Sequence, residues 1–203
     1  MSIDKIMLKK RFVLASNSPR RIALLRLLGY HFDVIPHDIE EYVSSNVLPT
    51  KLVQNLAFLK ACDVARRVDN AIIISADTII LHNNSILGKP KNIHDAKRML
   101  LTLSDSEHAI ISGVCIMDVP SHKKLLRSDR TYIRMKHIAE QDIEMYISSG
   151  EPMDKAGAYA VQGEGRKFIE KIIGSYSNAV GLPLETVQEM INIFVNDTNA
   201  EKF

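Results

Sequence analysis

The sequence has little cysteine and little excess charge, and each shortage excludes a class of protein. Its two cysteines, Cys62 and Cys115, lie far apart and form no CxxC pair, so neither a zinc site nor a disulfide framework is indicated. The formal net charge is only +2, which argues against a dedicated nucleic-acid-binding protein. We therefore expect a protein of the reducing cytoplasm in which any anion site is local.

Long hydrophobic runs and familiar catalytic motifs are also missing. No segment approaches the length of a membrane span, and residues 1–16 contain no apolar stretch of signal-peptide length. There is no Walker A loop, no HExxH motif and no spaced pair of histidines that would bind a metal. The chain is therefore expected to be soluble and cytoplasmic, with residues 1–10 as an N-terminal extension and 11–203 as one domain.

Strand-like and helix-like segments alternate along the chain, which predicts an α/β fold with a mixed sheet. The most apolar run, 71–75, is expected to be a strand buried on both faces that ends near Asp77 and Thr78. A separate strand is expected to follow it at 79–82. The other strands are expected at 11–16, 31–36, 109–118 and 124–138, and the helices at 19–28, 49–68, 93–103, 140–149 and 181–195.

The segment ASNSPRR at 15–21 joins the first predicted strand to the first predicted helix. The N-terminus of a helix exposes unpaired backbone N–H groups and carries partial positive charge, so the adjacent Ser16, Arg20 and Arg21 are candidates for binding a phosphate. A serine before a proline, such as Ser18, is also a common helix cap. The segment alone leaves both interpretations open.

Three carboxylates are candidates for binding a divalent cation: Glu40, Glu41 and Asp77. An ionised carboxylate at the end of a buried strand carries a desolvation cost, so Asp77 is expected to have a cationic partner. Adjacent carboxylates suit a hard ion such as Mg²⁺, which prefers oxygen ligands and usually retains water. The alternatives are a solvated acidic loop for Glu40 and Glu41, and a turn or cap aspartate for Asp77.

The segment 151–183 is rich in glycine and contains Lys155 and Gln162, a charge and an amide that could contact a nucleotide base. An irregular surface loop would also explain the glycines, but it explains poorly why charged and amide groups are interleaved with the apolar AGAYAV core. Lys89, which precedes a proline in GKP, could extend an ammonium group towards a ligand, as could the helical Lys60. Either lysine alone is weak grounds for a site, because most helical lysines are solvated.

Taken together, these segments resemble the Maf family of nucleoside triphosphate pyrophosphatases. The similar segments follow the family order and run through nearly the whole chain after residue 10. They are LASNSPRR at 14–21, IEE at 39–41, FLKA at 58–61, ADTI at 76–79, GKP at 88–90, SGVCI at 112–116, and EPMDKAGAYAVQG through NAVGLPL.

The resemblance implies a Maf-like (ITPase-like) fold with a twisted sheet flanked by helices and two lobes around a deep cleft. It also implies hydrolysis of a nucleoside triphosphate between its α and β phosphates, assisted by Mg²⁺ or Mn²⁺. Asp77 matches the catalytic proton acceptor. The positions that match phosphate-binding residues are Ser16, Arg21, Lys60 and Lys89, and those that match the metal site are Glu41, Asp77 and, beside them, Glu40.

The resemblance further implies a substrate class. Arg20, Thr78 and Gln162 are similar to the residues of the branch that acts on dTTP and UTP, including modified pyrimidine nucleotides, rather than on 7-methyl-GTP. Two positions depart from the family pattern: Ser112 replaces a threonine and Ala160 replaces a glycine. The methyl group of Ala160 lies beside the base-reading turn, so the breadth of base specificity stays open.

A second function from a different class stays open from the sequence. The chain could bind nucleotide as a regulator of cell division or septum formation without significant turnover. The carboxylates favour the enzyme, because a protein that only binds a polyanion has little reason to place acidic groups beside the phosphates. The expected partner is a nucleoside triphosphate, with no nucleic acid and no membrane, and monomer and homodimer both stay open.

Overall fold

The computed structural model describes residues 10–40 and 47–200, with side chains as far as residue 194. The predicted extension is therefore described only at Lys10, whose ammonium forms an ion pair with Asp118. Glu41 lies outside the described residues. Within them, no helix is both long and apolar enough to cross a membrane.

The described residues form six α-helices, and the five predicted from the sequence are all present. α2 ends three residues before the predicted end at Val68, and α5 was not predicted. Three short 3₁₀ turns, Glu151–Asp154, Ala156–Ala158 and Glu164–Phe168, occupy the glycine-rich segment. The helices are α1 (Pro19–Arg26), α2 (Pro49–Ala65), α3 (Ile93–Leu103), α4 (Glu140–Ser148), α5 (Tyr176–Val180) and α6 (Leu184–Ala200).

The described strands form one seven-stranded sheet, which confirms the predicted mixed α/β architecture. β1 pairs in parallel with β2 and β3, whereas β4 is antiparallel to β3 and β7 is antiparallel to β6. The order is β2-β1-β3-β5-β6-β7, with β4 on β3. The strands are β1 (Arg11–Leu14), β2 (Phe32–Val34), β3 (Ala71–His82), β4 (Ser85–Leu87), β5 (Glu107–Val119), β6 (Lys124–Met135) and β7 (Ile169–Ile173).

The prediction that a strand ends near Asp77 and a second strand follows is wrong. β3 is continuous from residue 71 to residue 82, so Asp77 and Thr78 lie inside the strand. Polar residues inside a buried strand are tolerated when they have hydrogen-bonding partners, and both residues do. After β3, Asn83 and Asn84 both have positive φ, as a tight hairpin turn into the antiparallel β4 requires.

The chain divides into two compact units, and β3, β5 and β6 contribute residues to both. The first unit comprises 1–78, 112–129 and 181–203, and the second comprises 79–111 and 130–180. In the first unit, small side chains on α2 pack against β1, β3 and β5. The core there includes Val13, Ala57, Ala61, Val64, Ile73 and Cys115.

Gly113 explains why α2 and β5 approach closely within the first unit. A Cβ atom at this position would lie 2.3 Å from the carbonyl carbon and oxygen of Val53, far inside van der Waals contact. Ser75 adds a polar link between α2 and β3, because its buried hydroxyl donates to the Ala57 carbonyl at 2.6 Å. These contacts fix the part of α2 that carries Lys60.

Candidate functional site

The junction between β1 and α1 is a capped helix start, as the sequence predicts. The Ser18 side chain accepts a hydrogen bond from the Arg21 N–H at 3.5 Å, and Pro19 occupies the first helical position. The buried Ser16 hydroxyl oxygen accepts from the Ser18 N–H at 3.1 Å. A hydroxyl that accepts still has its own hydrogen to donate, so Ser16 keeps the chemistry needed to contact a phosphate oxygen.

Arg21 joins three segments of the first unit. Its Nε donates to the Gly181 carbonyl at 2.9 Å, and its Nη2 donates to Thr78 Oγ1 at 3.1 Å. Thr78 Oγ1 also lies 2.9 Å from Ser112 Oγ and 3.3 Å from the Gly181 carbonyl oxygen. Two residues that the sequence places in one site are thus brought together, and Ser112 and Gly181 support them.

Lys60 and Asp77 form a buried ion pair in the same unit. Lys60 Nζ lies 2.5 Å from Asp77 Oδ1, and the two residues are only 2% and 4% exposed. α2 presents the lysine and the interior of β3 presents the aspartate, so the expected cationic partner of Asp77 is a residue of the chain itself. Because water is nearly excluded, each charge interacts with the other far more strongly than it would at the surface.

The remaining first-unit candidates are more exposed. Arg20 is half-buried on α1, and Glu40 is exposed at the end of the segment that follows β2. Across the part of the chain that the structure describes, no three histidine, cysteine, aspartate or glutamate side chains cluster closely enough to hold a metal ion together. Asp77 and Glu40 are the two predicted metal ligands that the structure describes.

Lys89 and Gln162 belong to the second unit. Lys89 is exposed between Gly88 and the buried Pro90, and the Gly88 carbonyl accepts a hydrogen bond from the Gly157 N–H at 2.9 Å. Gln162 is exposed in a turn that follows the buried Val161. Both side chains are thus available to solvent on backbone segments that other residues of the unit hold in place.

The sequence does not show which residues support the candidate side chains. The sequence marks Ser112 as a departure from the family pattern, and places Gly181 in the glycine-rich segment and at the start of a predicted helix, but assigns neither of them a contact. Their roles come from long-range contacts: Gly181 lies 160 positions after Arg21, and Ser112 lies 34 after Thr78. A carbonyl group leaves no signal in a sequence, because every residue has one.

In the first unit, a carboxylate, an ammonium and a guanidinium thus lie on elements that meet at the middle of β3. Such a set can bind a polyanion and accept a proton from water. The sequence is also similar, over nearly its full length, to a protein family and to several of its named members.

The Maf-like protein family model matches residues 11–194. The dTTP/UTP pyrophosphatase of Alkaliphilus metalliredigens strain QYMF is 47% identical over 184 residues, which cover 90% of this chain and 95% of that protein. The dTTP/UTP pyrophosphatase of Dictyoglomus thermophilum is 44% identical, covering 91% and 96% respectively. That of Dictyoglomus turgidum is 44% identical, covering 92% and 97%. With its family model spanning most of the sequence and relatives similar over nine-tenths of it, this chain belongs to the Maf-like protein family.

Proposed function

We propose that this protein is a nucleoside triphosphate pyrophosphatase that hydrolyses dTTP and UTP to the nucleoside monophosphate and pyrophosphate. The observation that carries the proposal is near-full-length similarity to proteins named dTTP/UTP pyrophosphatase, at 47% and 44% identity. The buried Asp77 beside Lys60 supplies a carboxylate suited to the reaction. The activity places the protein in nucleotide metabolism, and we propose that it works in the cytoplasm.

In the proposed reaction, water attacks the α-phosphorus and the bond to the oxygen bridging the α and β phosphates breaks. Asp77 orients this water and accepts its proton, while pyrophosphate leaves with the bridging oxygen. Little covalent participation by the protein is needed, because positioning and charge stabilisation account for most of the catalysis of phosphate transfer. The reaction therefore depends on where the charged side chains lie.

The phosphates are held by cationic and hydroxyl groups. Ser16 and Arg21 lie at the start of α1, where the helix N-terminus also favours an anion. Lys60 balances the Asp77 charge in the nucleotide-free structure and is close enough to neutralise a phosphate oxygen bound beside that carboxylate. Lys89 matches a phosphate-binding position of the family and is assigned the same role.

The donor chemistry of this site fits a divalent cation. Asp77 offers carboxylate oxygens, and Mg²⁺ commonly binds through one or two carboxylates together with substrate phosphates and water. Asp77, Glu40 and Glu41 would hold Mg²⁺ or Mn²⁺. When bound, such an ion neutralises phosphate charge and makes a water molecule more acidic.

Base selectivity is assigned to Arg20, Thr78 and Gln162. The exposed Gln162 amide can hydrogen-bond a pyrimidine edge, and a purine would leave that amide poorly matched. Thr78 contributes through its side chain, whose orientation is fixed by hydrogen bonds with Arg21 and Ser112. The thymine and uracil edges that are shared by dTTP and UTP account for the two substrates.

The test is pyrophosphate release from dTTP, UTP and 7-methyl-GTP, with and without Mg²⁺, by the wild type and by Asp77→Asn. We expect metal-dependent release from the two pyrimidine nucleotides, and a loss of roughly a hundredfold or more in the variant. Asp33→Asn is the matched control, because Asp33 is an exposed carboxylate on β2 and should retain activity.

Two outcomes would refute the proposal. Near-normal turnover by Asp77→Asn would remove its assigned role. Tight nucleotide binding without turnover would favour the alternative of a nucleotide-binding regulator of cell division.

A further inference from the structure

The second unit contains a carboxylate that the proposed reaction leaves unused, the side chain of Glu151. It accepts hydrogen bonds from the Tyr146 hydroxyl at 2.8 Å, the Glu164 N–H at 3.0 Å and the Gly165 N–H at 3.1 Å. Three hydrogen bonds to one carboxylate hold the segments that donate them firmly in place, because hydrogen bonds to an ionised acceptor are stronger than neutral ones. Two of these donors belong to the backbone just after Gln162.

The other side of the same turn is tied to the same carboxylate through Tyr146. This tyrosine is fully buried, and its hydroxyl accepts a hydrogen bond from the Ala160 N–H at 3.1 Å while donating to Glu151. Its ring also makes an edge contact with Phe168, with centroids 5.2 Å apart. The turn 160–165 is therefore held at both ends by one carboxylate, directly at one end and through a hydroxyl at the other.

Two glycines allow the backbone to come this close. Gly163 has φ +86°, and a Cβ atom there would lie 2.5 Å from Glu151 Oε2. A Cβ atom at Gly165 would lie 2.7 Å from Tyr146 Oη. Both distances are far below a normal carbon contact, so the turn is shaped around these two side chains.

The electrostatics keep this arrangement intact at neutral pH. Burial favours a raised pKa for the Glu151 carboxyl, but the Glu164 and Gly165 N–H groups and the Tyr146 hydroxyl outweigh it and hold that pKa below its usual value. Burial, reinforced by the Glu151 charge, raises the pKa of the Tyr146 hydroxyl. The carboxylate therefore remains an acceptor and the hydroxyl remains a donor.

We propose that Glu151 is a positioning residue for Gln162. Its carboxylate fixes the turn 160–165, and through the placement of the Gln162 amide it sets the preference for pyrimidine over purine triphosphates. The selectivity part rests on the proposed function, because it concerns the same substrates. The conformational part does not, since the hydrogen bonds exist without nucleotide.

The conformational part is tested by amide hydrogen exchange on the nucleotide-free protein. In Glu151→Gln, one carboxylate oxygen becomes an NH2 donor, so one of the two backbone N–H groups faces a donor and the other keeps a weaker, uncharged acceptor. Exchange at the Glu164 and Gly165 amides should become roughly tenfold faster or more. Glu164→Gln is the matched control, because it removes the same charge from an exposed side chain in the same turn and leaves every backbone N–H in place. Unchanged exchange in Glu151→Gln would overturn the proposal.

The selectivity part is tested by comparing kcat/KM for dTTP with kcat/KM for dGTP. The dTTP preference should fall roughly tenfold in Glu151→Gln, mainly through KM, and by a similar factor in Gln162→Ala. Because Glu151 acts through Gln162, the double variant should lose no more than Gln162→Ala alone. Losses that multiply, or an unchanged preference in Glu151→Gln, would overturn the selectivity role.

A second variant and the wild-type assay separate failure of the Glu151 proposal from failure of the proposed function. If Glu151→Gln does not fold, Tyr146→Phe takes its place: it removes the bridging hydroxyl and keeps the ring, so exchange should accelerate at the Ala160 amide and the dTTP preference should fall. Wild-type protein that releases no pyrophosphate from dTTP would refute the proposed function, and the exchange measurement would still decide whether Glu151 holds the turn.

Discussion

Replacing Lys60 with methionine should destabilise the protein strongly, because it leaves the buried Asp77 carboxylate without the ammonium that lies 2.5 Å away. The two side chains are 2% and 6% exposed, so water can replace little of the lost interaction. Removing one partner of a buried ion pair typically costs about 3–5 kcal/mol. For a chain of this size, that loss corresponds to a decrease of roughly 6–20 °C in the unfolding midpoint.

The measurement is a double-mutant cycle with Lys60→Met, Asp77→Asn and the combined variant. The chain has no tryptophan, so unfolding in urea is followed by far-UV circular dichroism rather than by tryptophan fluorescence. We expect a coupling free energy of at least about 2 kcal/mol, because the double variant no longer buries either charge. Methionine keeps the length and the apolar stem of the lysine, which limits the packing change.

Lys97→Met provides the comparison at the protein surface. Lys97 pairs with Glu140 and Glu144 at 3.1 and 2.8 Å, but these charges are solvated, and its loss should shift the midpoint far less. If the losses of Lys60→Met and Asp77→Asn simply add in the double variant, the pair is not coupled and the reasoning fails.

Two further perturbations test the packing of the first unit and the burial of a histidine in the second. Gly113→Ala should lower the free energy of unfolding by about 1–3 kcal/mol or more, because its methyl group would overlap Val53. Gly88→Ala should be near neutral in the same unfolding measurement, because nothing lies within 4 Å of a Cβ atom there. Burial lowers the pKa of His108 to about 3, so the unfolded chain binds a proton below about pH 6.5 that the folded protein excludes. His108 should therefore contribute a fall in stability of about 1.4 kcal/mol per pH unit between roughly pH 6 and 3, and a slope unchanged in His108→Gln would contradict this assignment.

The sequence predicted most of the regular structure because its local signals were strong. α3 occupies the predicted residues 93–103, and the cap at Ser18 and Pro19 starts α1 as expected. Hydrophobic periodicity and capping act within a few residues, so they can be read without knowing the fold. The family resemblance is confirmed by the family model over 11–194, and the predicted activity agrees with the names of the curated relatives.

The misses occur where distant pairing overrides a local signal. Asp77 and Thr78 look like the polar end of a strand, yet β3 continues through them, because Lys60 and Ser112 supply partners from other elements. No strand is predicted in the glycine-rich segment 151–183, yet β7 forms there because β6 offers it an antiparallel edge. Strand formation depends on such neighbours more than helix formation does.

The site shows the same division. The assignment of Ser16, Arg21, Lys60 and Asp77 to one function remains a prediction from the family motifs, although the structure does place all four in the first unit. Glu151 is the first residue of the family-like segment EPMDKAGAY. Nothing in that segment distinguishes a carboxylate that holds a turn from one that faces solvent.

By itself, the sequence determined the five longer helices, the mixed α/β class and the family, because local periodicity and motif order are properties of the chain. Only the tertiary structure decided that Lys60 neutralises Asp77, that Arg21 binds the Gly181 carbonyl and that Glu151 closes the turn bearing Gln162. Charges and carbonyl groups gain their partners when segments far apart in sequence are packed together and water is excluded, and no local pattern records which partners meet.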